Sequence, residues 1–201
     1  MDVAGNVSNG TSFLLLPHID SISPTSGNTG VTFDVSGTNF GSVQGTGSVT
    51  LAGVNCSVNS WANGTVNVTV PAAAVDGAVL LTRDDTQASS LSGFDVIPAI
   101  TNVSPNRRVE GEQVTITGSG FGATQNGSTV TFNGGGGVVA TNIISWGPTT
   151  IVCEVPAGAS TGTITVHIND ASVGSDIDDA TSGSNITVIL AAPNLTGVGQ
   201  L

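Results

Sequence analysis

Apolar and polar residues alternate in short runs along the whole chain. Residues 31–35 read Val-Thr-Phe-Asp-Val, and residues 164–168 read Ile-Thr-Val-His-Ile. Such alternation is typical of half-buried β-strands, because successive side chains point to opposite faces of a sheet. Val31, Phe33 and Val35 are therefore expected to point inward. Clusters of Gly and Asn separate the runs, as turns do.

The first half of the chain contains seven such runs and shows no helical periodicity. They predict strands near residues 18–23, 31–37, 47–54, 55–60, 64–70, 77–83 and 91–97. Seven short strands within about 80 residues are typical of an immunoglobulin-like sandwich. The pattern therefore predicts an all-β protein.

The second half of the chain repeats the first half. The sequence PHIDSISP at residues 17–24 recurs as PAITNVSP at residues 98–105. The sequence GTNFG at residues 37–41 recurs as GSGFG at residues 118–122, and a Ser-Trp and a Val-Pro dipeptide follow in both halves. Self-similarity of this length indicates two copies of one domain.

The repeat divides the chain into four parts. Residues 17–97 are predicted to form the first copy and residues 98–191 the second. Residues 1–16 end in SFLLL before a proline, which parallels GFDVI at the junction of the copies, so they resemble the last strand of a preceding repeat. Residues 192–201 read as the start of a further repeat or a C-terminal tail. The terminal segments thus belong either to a longer array or to strands exchanged between subunits.

These residues resemble a known domain family. The string P-x-I-x-x-[IV]-S-P, then V-T-[FI]-x-[VI]-x-G-x-x-F-G, S-W and V-x-V-P, is similar to the IPT/TIG domain, an early-set (E-set) immunoglobulin-like fold. The resemblance covers residues 17 to about 190 and implies two tandem β-sandwiches. Family members occur in receptors, in bacterial and phage surface proteins, beside carbohydrate-active enzymes and in DNA-binding transcription factors. The resemblance therefore implies a fold and leaves the function open.

The resemblance also bears on the two cysteines. In many extracellular members, a cysteine in mid-domain pairs with another that lies three residues before the proline of V-x-V-P. The first copy keeps Cys56 but has Val68 at the second position, whereas the second copy keeps only Cys153. Neither copy can close that bridge. Because both cysteines lie in phase with apolar neighbours, we expect two buried free thiols.

The charge of the chain argues against two classes of partner. Fourteen Asp and Glu face three Arg and no Lys, which gives a net charge of −11. Nucleic acids and anionic lipids are bound largely through Lys and Arg. We therefore expect no nucleic-acid partner. We also expect no membrane insertion, because no apolar stretch approaches the length of a membrane helix.

One loop of the second copy is a candidate cation site. It is absent from the first copy and contains Asp170, Asp176, Asp178 and Asp179. Carboxylate oxygens on a flexible loop suit Ca²⁺, but the spacing differs from that of an EF-hand, and six or more oxygens must converge. A solvated acidic loop is the alternative. No other cofactor is expected.

Glycosylation sequons are enriched in this sequence. There are nine, about twice the number that the composition predicts by chance. They lie at Asn6, Asn9, Asn55, Asn63, Asn67, Asn102, Asn126, Asn185 and Asn194. The enrichment is typical of a glycosylated surface chain. The alternative is that a sandwich rich in Thr and Asn brings these residues together without any glycan.

Nothing in the sequence indicates catalysis. No triad, metal signature or cofactor motif is present, and no GK[ST] accompanies the four glycines at 134–137. Trp61 and Trp146 occupy equivalent positions, which favours a shared structural role over a sugar-stacking platform. His18 and His167 appear isolated in the sequence, so a structural role is expected for both.

The leading hypothesis is a non-enzymatic module on an extracellular or cell surface. Two sandwiches joined at Ile97-Pro98 would act as a spacer, stalk or adhesive element. Its partners would be neighbouring Ig-like repeats or identical subunits, with another surface protein or a glycan as further candidates. The alternatives are a virion decoration or filament subunit that assembles through its terminal strands, and a carbohydrate-binding accessory module with an exposed aromatic platform.

Overall fold

The computed structural model describes residues 15–169 and 178–189. Their strands form two β-sandwiches in succession, each closed over a core of its own. The predicted all-β fold with two tandem immunoglobulin-like sandwiches is confirmed. None of the described residues forms a helix with the length and hydrophobicity needed to cross a bilayer. Most of the two predicted terminal segments lies outside the described residues, so their assignment to an array or to strand exchange stays a prediction.

The first sandwich is built from two sheets. Its strands are β1 (His18–Ser23), β2 (Ser26–Gly27), β3 (Thr32–Thr38), β4 (Ser48–Leu51), β5 (Val54–Asn55), β6 (Ser57–Ala62), β7 (Thr65–Thr69), β8 (Gly77–Thr82) and β9 (Ala88–Val96). One sheet has the order β1-β3-β7-β6 and the other β2-β9-β8-β4-β5. All pairs are antiparallel except β2 with β9. Each of the seven predicted strands overlaps an observed one, and the short β2 is additional.

The second sandwich repeats this arrangement with one interruption. Its strands are β10 (Ala99–Ser104), β11 (Arg107–Val109), β12 (Gln113–Ser119), β13 (Thr129–Phe132), β14 (Val138–Val139), β15 (Ile143–Trp146), β16 (Thr150–Glu154), β17 (Ile164–Ile168), β18 (Asp178–Thr181) and β19 (Thr187–Ile189). The sheets are β10-β12-β16-β15 and β14-β13-β17-β18, with β11 and β19 as a parallel pair. The continuous β9 of the first sandwich thus corresponds to β18 and β19 together.

The two copies also share their irregularities. The pairing register of the first strand shifts after Ile19 in one copy and after Ile100 in the other. A second shift follows Val58 in β6 and Ile143 in β15. Such shifts are β-bulges, which bend a strand at a defined place. The sequence repeat is therefore a structural repeat in detail.

The first core is closed by an aromatic pair that joins its two sheets. The ring centroids of Phe33 on β3 and Phe94 on β9 lie 4.5 Å apart, and both rings are fully buried. Val35 is buried beside them, as predicted. Val31 is 41% exposed, so its predicted inward orientation is wrong. The strand begins only at Thr32, and Val31 lies in the preceding turn, where its N–H donates to the carbonyl of Asn28 at 3.3 Å.

Both cysteines are free thiols that lie in or beside the cores. Cys153 on β16 is fully buried, and Cys56 is half-buried against the first core. Burial raises the pKa of Cys56 to about 11 and that of Cys153 to about 12. The prediction of free thiols is confirmed for both cysteines, whereas the predicted burial holds fully for Cys153 and only in part for Cys56. These thiols are protonated at neutral pH, which makes them poor nucleophiles.

Truncation of Phe33 is expected to destabilise the first sandwich strongly. Phe33→Ala removes one ring of the buried pair and leaves a cavity, a change that costs about 3–5 kcal/mol in typical cores. The matched control is Val31→Ala, which truncates an exposed side chain next to β3 and is expected to change the free energy of unfolding by less than about 0.5 kcal/mol. Urea titration followed by tryptophan fluorescence measures both. Equal effects of the two variants would contradict the assignment of the core.

The free energy of unfolding is expected to fall as the pH rises above 9. An unfolded cysteine has a pKa near 9.0, whereas burial raises the pKa of native Cys56 to about 11 and that of native Cys153 to about 12. The stabilisation is therefore complete below pH 9 and is lost towards pH 12. Cys153 contributes about 1.4 kcal/mol per pH unit, and the half-buried Cys56 contributes less because solvent screens it.

This pH dependence can be isolated because the chain contains no Tyr and no Lys. No other type of side chain titrates between pH 9 and 12. Urea titrations at pH 9, 10 and 11 measure the loss, and a variant carrying Cys56→Ala and Cys153→Ala is expected to remain constant over that range. An identical decline in the wild type and the double variant would show that the thiols are not its cause.

Candidate functional site

The two sandwiches follow one another through a connection of two residues. β9 ends at Val96 and β10 begins at Ala99. The backbone N–H of Ile97 donates to the carbonyl of Gly27 at 3.1 Å, and the carbonyl of Ile97 accepts from Nδ2 of Asn28 at 3.0 Å. Pro98 restricts the next backbone torsion. The connection is thus held to the first sandwich up to the point where the second begins.

A side-chain oxygen anchors the end of the last strand in each copy. The backbone N–H of Val96 donates to Oδ1 of Asp76 at 2.6 Å, and Asp76 is only 4% exposed. In the second copy, the backbone N–H of Val188 donates to Oγ1 of Thr161 at 3.1 Å. Asp76 and Thr161 directly precede equivalent segments of the repeat. The direction in which β9 leaves the first sandwich is therefore set by a buried hydrogen bond.

The segment between β7 and β8, residues 70–76, contacts the second sandwich. The side chain of Val75, in this segment, packs against the core of the second sandwich. The Cγ1 atom of Val75 lies 2.9 Å from the position that a Cβ on Gly122 would occupy. Gly122 also has a φ of +74°, which favours glycine. Both the backbone and the close approach of Val75 therefore require a glycine here, and we call this contact the joint.

A cavity of about 210 Å³ lies at the joint. Small apolar side chains, including Ala52, Ala73 and Val75, line it from the first sandwich, and Phe121 and Thr124 belong to its lining on the second. The described lining contains no Asp, Glu, His, Cys or Arg. It therefore offers no group for acid–base chemistry.

A second depression, of about 240 Å³, lies on the second sandwich between β10 and the turn from β18 to β19. It exists where the last strand is interrupted, whereas β9 is continuous in the first copy. The half-buried Ile100 and Val103 contribute its apolar lining. Neutral polar side chains complete it, namely Thr101, Asn102, Asn106, Ser182, Ser184 and Asn185. We call it the neutral groove, because the residues that line it carry no charge.

Both tryptophans support a loop of their own domain. The indole N–H of Trp61 donates to the carbonyl of Phe40 at 3.1 Å, and that of Trp146 donates to the carbonyl of Phe121 at 2.8 Å. The predicted shared structural role is confirmed. The described Phe side chains are buried, and they are Phe33, Phe40, Phe94, Phe121 and Phe132. The described part of the chain thus presents no fully exposed aromatic ring.

Arg83 fastens the segment that leads into the first sandwich. Its Nη1 donates to the carbonyls of Leu15 and Asn39, both at 2.9 Å, and Nδ2 of Asn39 donates to the carbonyl of Leu16 at 3.1 Å. The guanidinium also pairs with Asp85. This hydrogen bond raises the pKa of Arg83 and lowers the pKa of Asp85. Arg83 therefore has a structural role here and is not available as a free basic group.

The predicted calcium group is described only in part. Asp170 and Asp176 lie outside the described residues, Asp178 begins β18, and the exposed Asp179 follows it. Oδ1 of Asp179 lies 2.8 Å from Nδ1 of His167. Within residues 15–169 and 178–189, no three His, Cys, Asp or Glu side chains converge as metal ligands. The calcium site stays a prediction.

Each histidine has an acidic neighbour, which for His18 lies two residues away in the sequence and for His167 lies on another strand. His167 pairs with Asp179 across β17 and β18, and Nε2 of His18 lies 3.4 Å from Oδ1 of Asp20. Alternation along a strand cannot show the first pair, because it depends on the register between two strands. Both contacts lie at the surface.

Most predicted glycosylation sites in the described part of the chain are accessible. The exposed ones are Asn55, Asn63, Asn102, Asn126 and Asn185. Asn67 is half-buried, and its Nδ2 donates to Oδ1 of Asp34 at 2.6 Å while its Oδ1 accepts from Nδ2 of Asn59 at 2.9 Å. Asn6, Asn9 and Asn194 lie outside the described residues. Glycosylation stays a prediction at all nine.

The residues of the joint did not emerge from the sequence. Val75, Asp76 and Gly122 lack any periodic signal that links them. A signal was nevertheless present in the repeat, since Val75 and Asp76 correspond to Ser160 and Thr161 in the second copy. A change from apolar to polar between equivalent positions marks a place where the two copies have different surroundings.

Comparison with known proteins found similar chains of several kinds. A cyclomaltodextrin glucanotransferase of Paenibacillus macerans is 41% identical over 78 residues, which cover 39% of this chain and 10% of that protein. A surface glycan-binding protein of Prevotella bryantii has a TM-score of 0.51 at 18% identity, with 85% of this chain and 42% of that chain covered. An auxiliary nutrient binding protein of Bacteroides thetaiotaomicron has a TM-score of 0.40 at 18% identity, with 78% of this chain and 44% of that chain covered.

This chain therefore spans a tenth of the enzyme and less than half of the two solved structures. The likeness to the Prevotella bryantii protein shows the fold alone. The family model of the IPT/TIG domain matches residues 17–95 and 98–188, which together are most of the chain. Those two matches coincide with the two sandwiches, and the chain belongs to the IPT/TIG domain family, of which it contains two tandem domains.

Proposed function

We propose that this chain is a non-enzymatic spacer in an extracellular or cell-surface protein, where it holds neighbouring domains at a fixed distance and orientation. The observation that carries the proposal is the joint, in which Val75 of domain 1 packs against the core of domain 2. Bending at the two-residue connection would separate Val75 from the core of domain 2 and expose apolar surface, so it is opposed by the hydrophobic effect.

The surface chemistry supports a passive role. The net charge of −11 keeps an exposed protein soluble and apart from its neighbours. The two described depressions are lined without titratable side chains, whereas general acid–base catalysis needs such groups. The two thiols are buried or half-buried, with raised pKa values. These features favour a module that positions other domains.

The relative from Paenibacillus macerans suggests a context for the spacer. Its name describes an enzyme that transfers glucan chains, and this chain matches 10% of its length. A match of that size is compatible with an accessory domain that accompanies a separate catalytic part. We therefore place the spacer beside a domain that binds or processes a glycan, and we propose this neighbouring domain as its direct partner.

A carbohydrate-binding module is the second candidate, and the neutral groove favours it. Amide and hydroxyl groups such as those of Asn102 and Asn185 can bond to sugar hydroxyls, and the apolar side chains of Ile100 and Val103 can contact the C–H faces of a sugar ring. No fully exposed aromatic ring of the described residues adds a stacking surface. The spacer is therefore the leading proposal.

The substitution Val75→Asp is expected to release the two domains from each other. A carboxylate facing the core of domain 2 must be hydrated, which requires the joint to open. Small-angle X-ray scattering should then show a broader distribution of interdomain distances than the wild type. The matched control is Val43→Asp, because Val43 is 73% exposed and its replacement should leave the scattering unchanged. A wild-type distribution as broad as that of Val75→Asp would refute the spacer.

The second candidate is tested by calorimetric titration with maltohexaose, a neutral glucan oligosaccharide. A pure spacer is expected to give only the heat of dilution. Saturable binding that disappears in a variant with Asn102→Ala and Asn185→Ala would assign the neutral groove to a glycan. Asn63→Ala serves as a control, because Asn63 is an exposed amide in domain 1 and lies outside the groove.

A further inference from the structure

The joint uses a loop that occurs twice in the molecule. In domain 2, residues 121–125 run from Phe121 to Gln125 and receive Val75 at Gly122. In domain 1, residues 40–44 run from Phe40 to Gln44. We call these two segments the Phe–Gly loops. Val75 of domain 1 covers Gly122 in the loop of domain 2, so we ask what covers the equivalent glycine, Gly41, in the loop of domain 1.

The two Phe–Gly loops share most of their geometry, and they differ in that the N–H of Gly41 donates to Oδ1 of Asn63 at 3.0 Å, where domain 2 has Pro148. Their second residues, Gly41 and Gly122, have φ values of +87° and +74°. Nε2 of Gln44 donates to the carbonyl of Gly47, and Nε2 of Gln125 donates to that of Ser128, both at 2.9 Å. The same tryptophan hydrogen bond supports the phenylalanine carbonyl in both domains. The Phe–Gly loop of domain 1 thus resembles the loop of domain 2 that Val75 contacts.

The surroundings of the two loops differ. Gly122 is buried under Val75, whereas Gly41 is partly exposed. A Cβ on Gly41 would have the domain's own Val43 carbonyl as its nearest neighbour, at 3.7 Å. Val43 is 73% exposed, and its counterpart Thr124, which belongs to the lining of the cavity, is exposed as well. The two loops therefore differ mainly at the glycine, which Val75 covers in domain 2.

The segment ahead of domain 1 carries a second exposed apolar group. Leu15 is 64% exposed, but its counterpart in the repeat is Val96, which is 2% exposed in the core of domain 1. Leu16 corresponds to Ile97 of the connection. Both carbonyls of the segment are held in place, by Arg83 and by Asn39. The segment therefore has the position and the residue type of the last strand of another sandwich as it enters domain 1.

We propose that the Phe–Gly loop of domain 1, with Leu15 and Leu16, is the receiving half of a second joint. Its occupant is another IPT/TIG domain, joined ahead of Leu15, with an apolar side chain at the position of Val75. The inference rests on the proposed spacer function. A second copy of this chain fits less well, because domain 2 has Ser160 at the position of Val75, hydrogen-bonded to Asn133 at 3.1 Å.

The same substitution at the two equivalent glycines tests the inference in the protein as it is. Asparagine tolerates a positive φ better than other side chains, and Asn39 and Asn126 adopt one in this chain. Gly41→Asn and Gly122→Asn therefore carry similar backbone strain, but only the second meets Val75. Calorimetry is expected to give a melting temperature lower by about 4–8 °C for Gly122→Asn than for Gly41→Asn. Equal melting temperatures would show that coverage does not distinguish the loops and would overturn the inference.

A three-domain chain supplies the proposed occupant. In it, residues 1–97 are followed directly by residues 17–201, so the new Ile-Pro connection keeps the register of the repeat and places Val75 of the added domain ahead of the next Phe–Gly loop. Gly41→Asn in the middle domain is then expected to lower the melting temperature as much as Gly122→Asn does. An effect no larger than in the native chain would overturn the inference.

Two further outcomes separate the possibilities. If Gly41→Asn stays harmless in the three-domain chain while Val75→Asp still releases the native joint, the second joint is refuted and the spacer proposal stands. If sedimentation of the native chain shows concentration-dependent association that Gly41→Asn abolishes, the loop binds a second copy and the proposed occupant is wrong. Sedimentation as a monomer at all concentrations is the expected result.

Discussion

Strand β9 connects the core of domain 1 directly to domain 2. Its Phe94 packs on Phe33 between the sheets, its Val96 is held by the buried Asp76, and the chain then passes through Ile97 into domain 2. Because the strand is fixed at both places, its exit direction is determined by the core of domain 1. The contact of Val75 with domain 2 depends on that direction, so the joint is a consequence of how the first core is packed.

Duplication has preserved the cores of the two domains and varied their ends. The bulges and the tryptophan-supported loops are the same in both copies. At the end of β8, however, domain 1 has Arg83, whereas the equivalent end of β17 has the buried Ile168. Arg83 holds the segment that leads into domain 1, and Ile168 belongs to the cavity at the joint. The two strand ends thus carry different residues because they contact different groups: Arg83 binds backbone carbonyls, and Ile168 lines the cavity at the joint.

The alternation of apolar residues and the internal repeat were sufficient to predict the strands and the two sandwiches. They work because burial in a sandwich follows the two-residue period of a strand. They failed at Val31, where the period continues in the sequence but the strand has not yet begun. They could not find the contact of Val75 with Gly122, since packing between two domains depends on side chains far apart in the sequence that no local period relates. The pair of His167 and Asp179 depends likewise on strand register.

Domain 2 has polar residues where domain 1 has Val75, so the two ends of the chain differ in the contacts that they can make with a further domain. Ser160 replaces Val75 there, and Asn133 donates both to Ser160 and to the carbonyl of Thr161. Packing these groups against an apolar loop would remove water from them without replacing their remaining hydrogen bonds, which costs free energy. The Phe–Gly loop of domain 1 and the polar segment around Ser160 in domain 2 are therefore poorly matched to each other. A joint of the kind seen between the two domains needs a valine-like side chain on one domain and a Phe–Gly loop on the other. Domain 1 has a loop that can receive such a side chain. Domain 2 lacks the side chain, because Ser160 stands at the position of Val75.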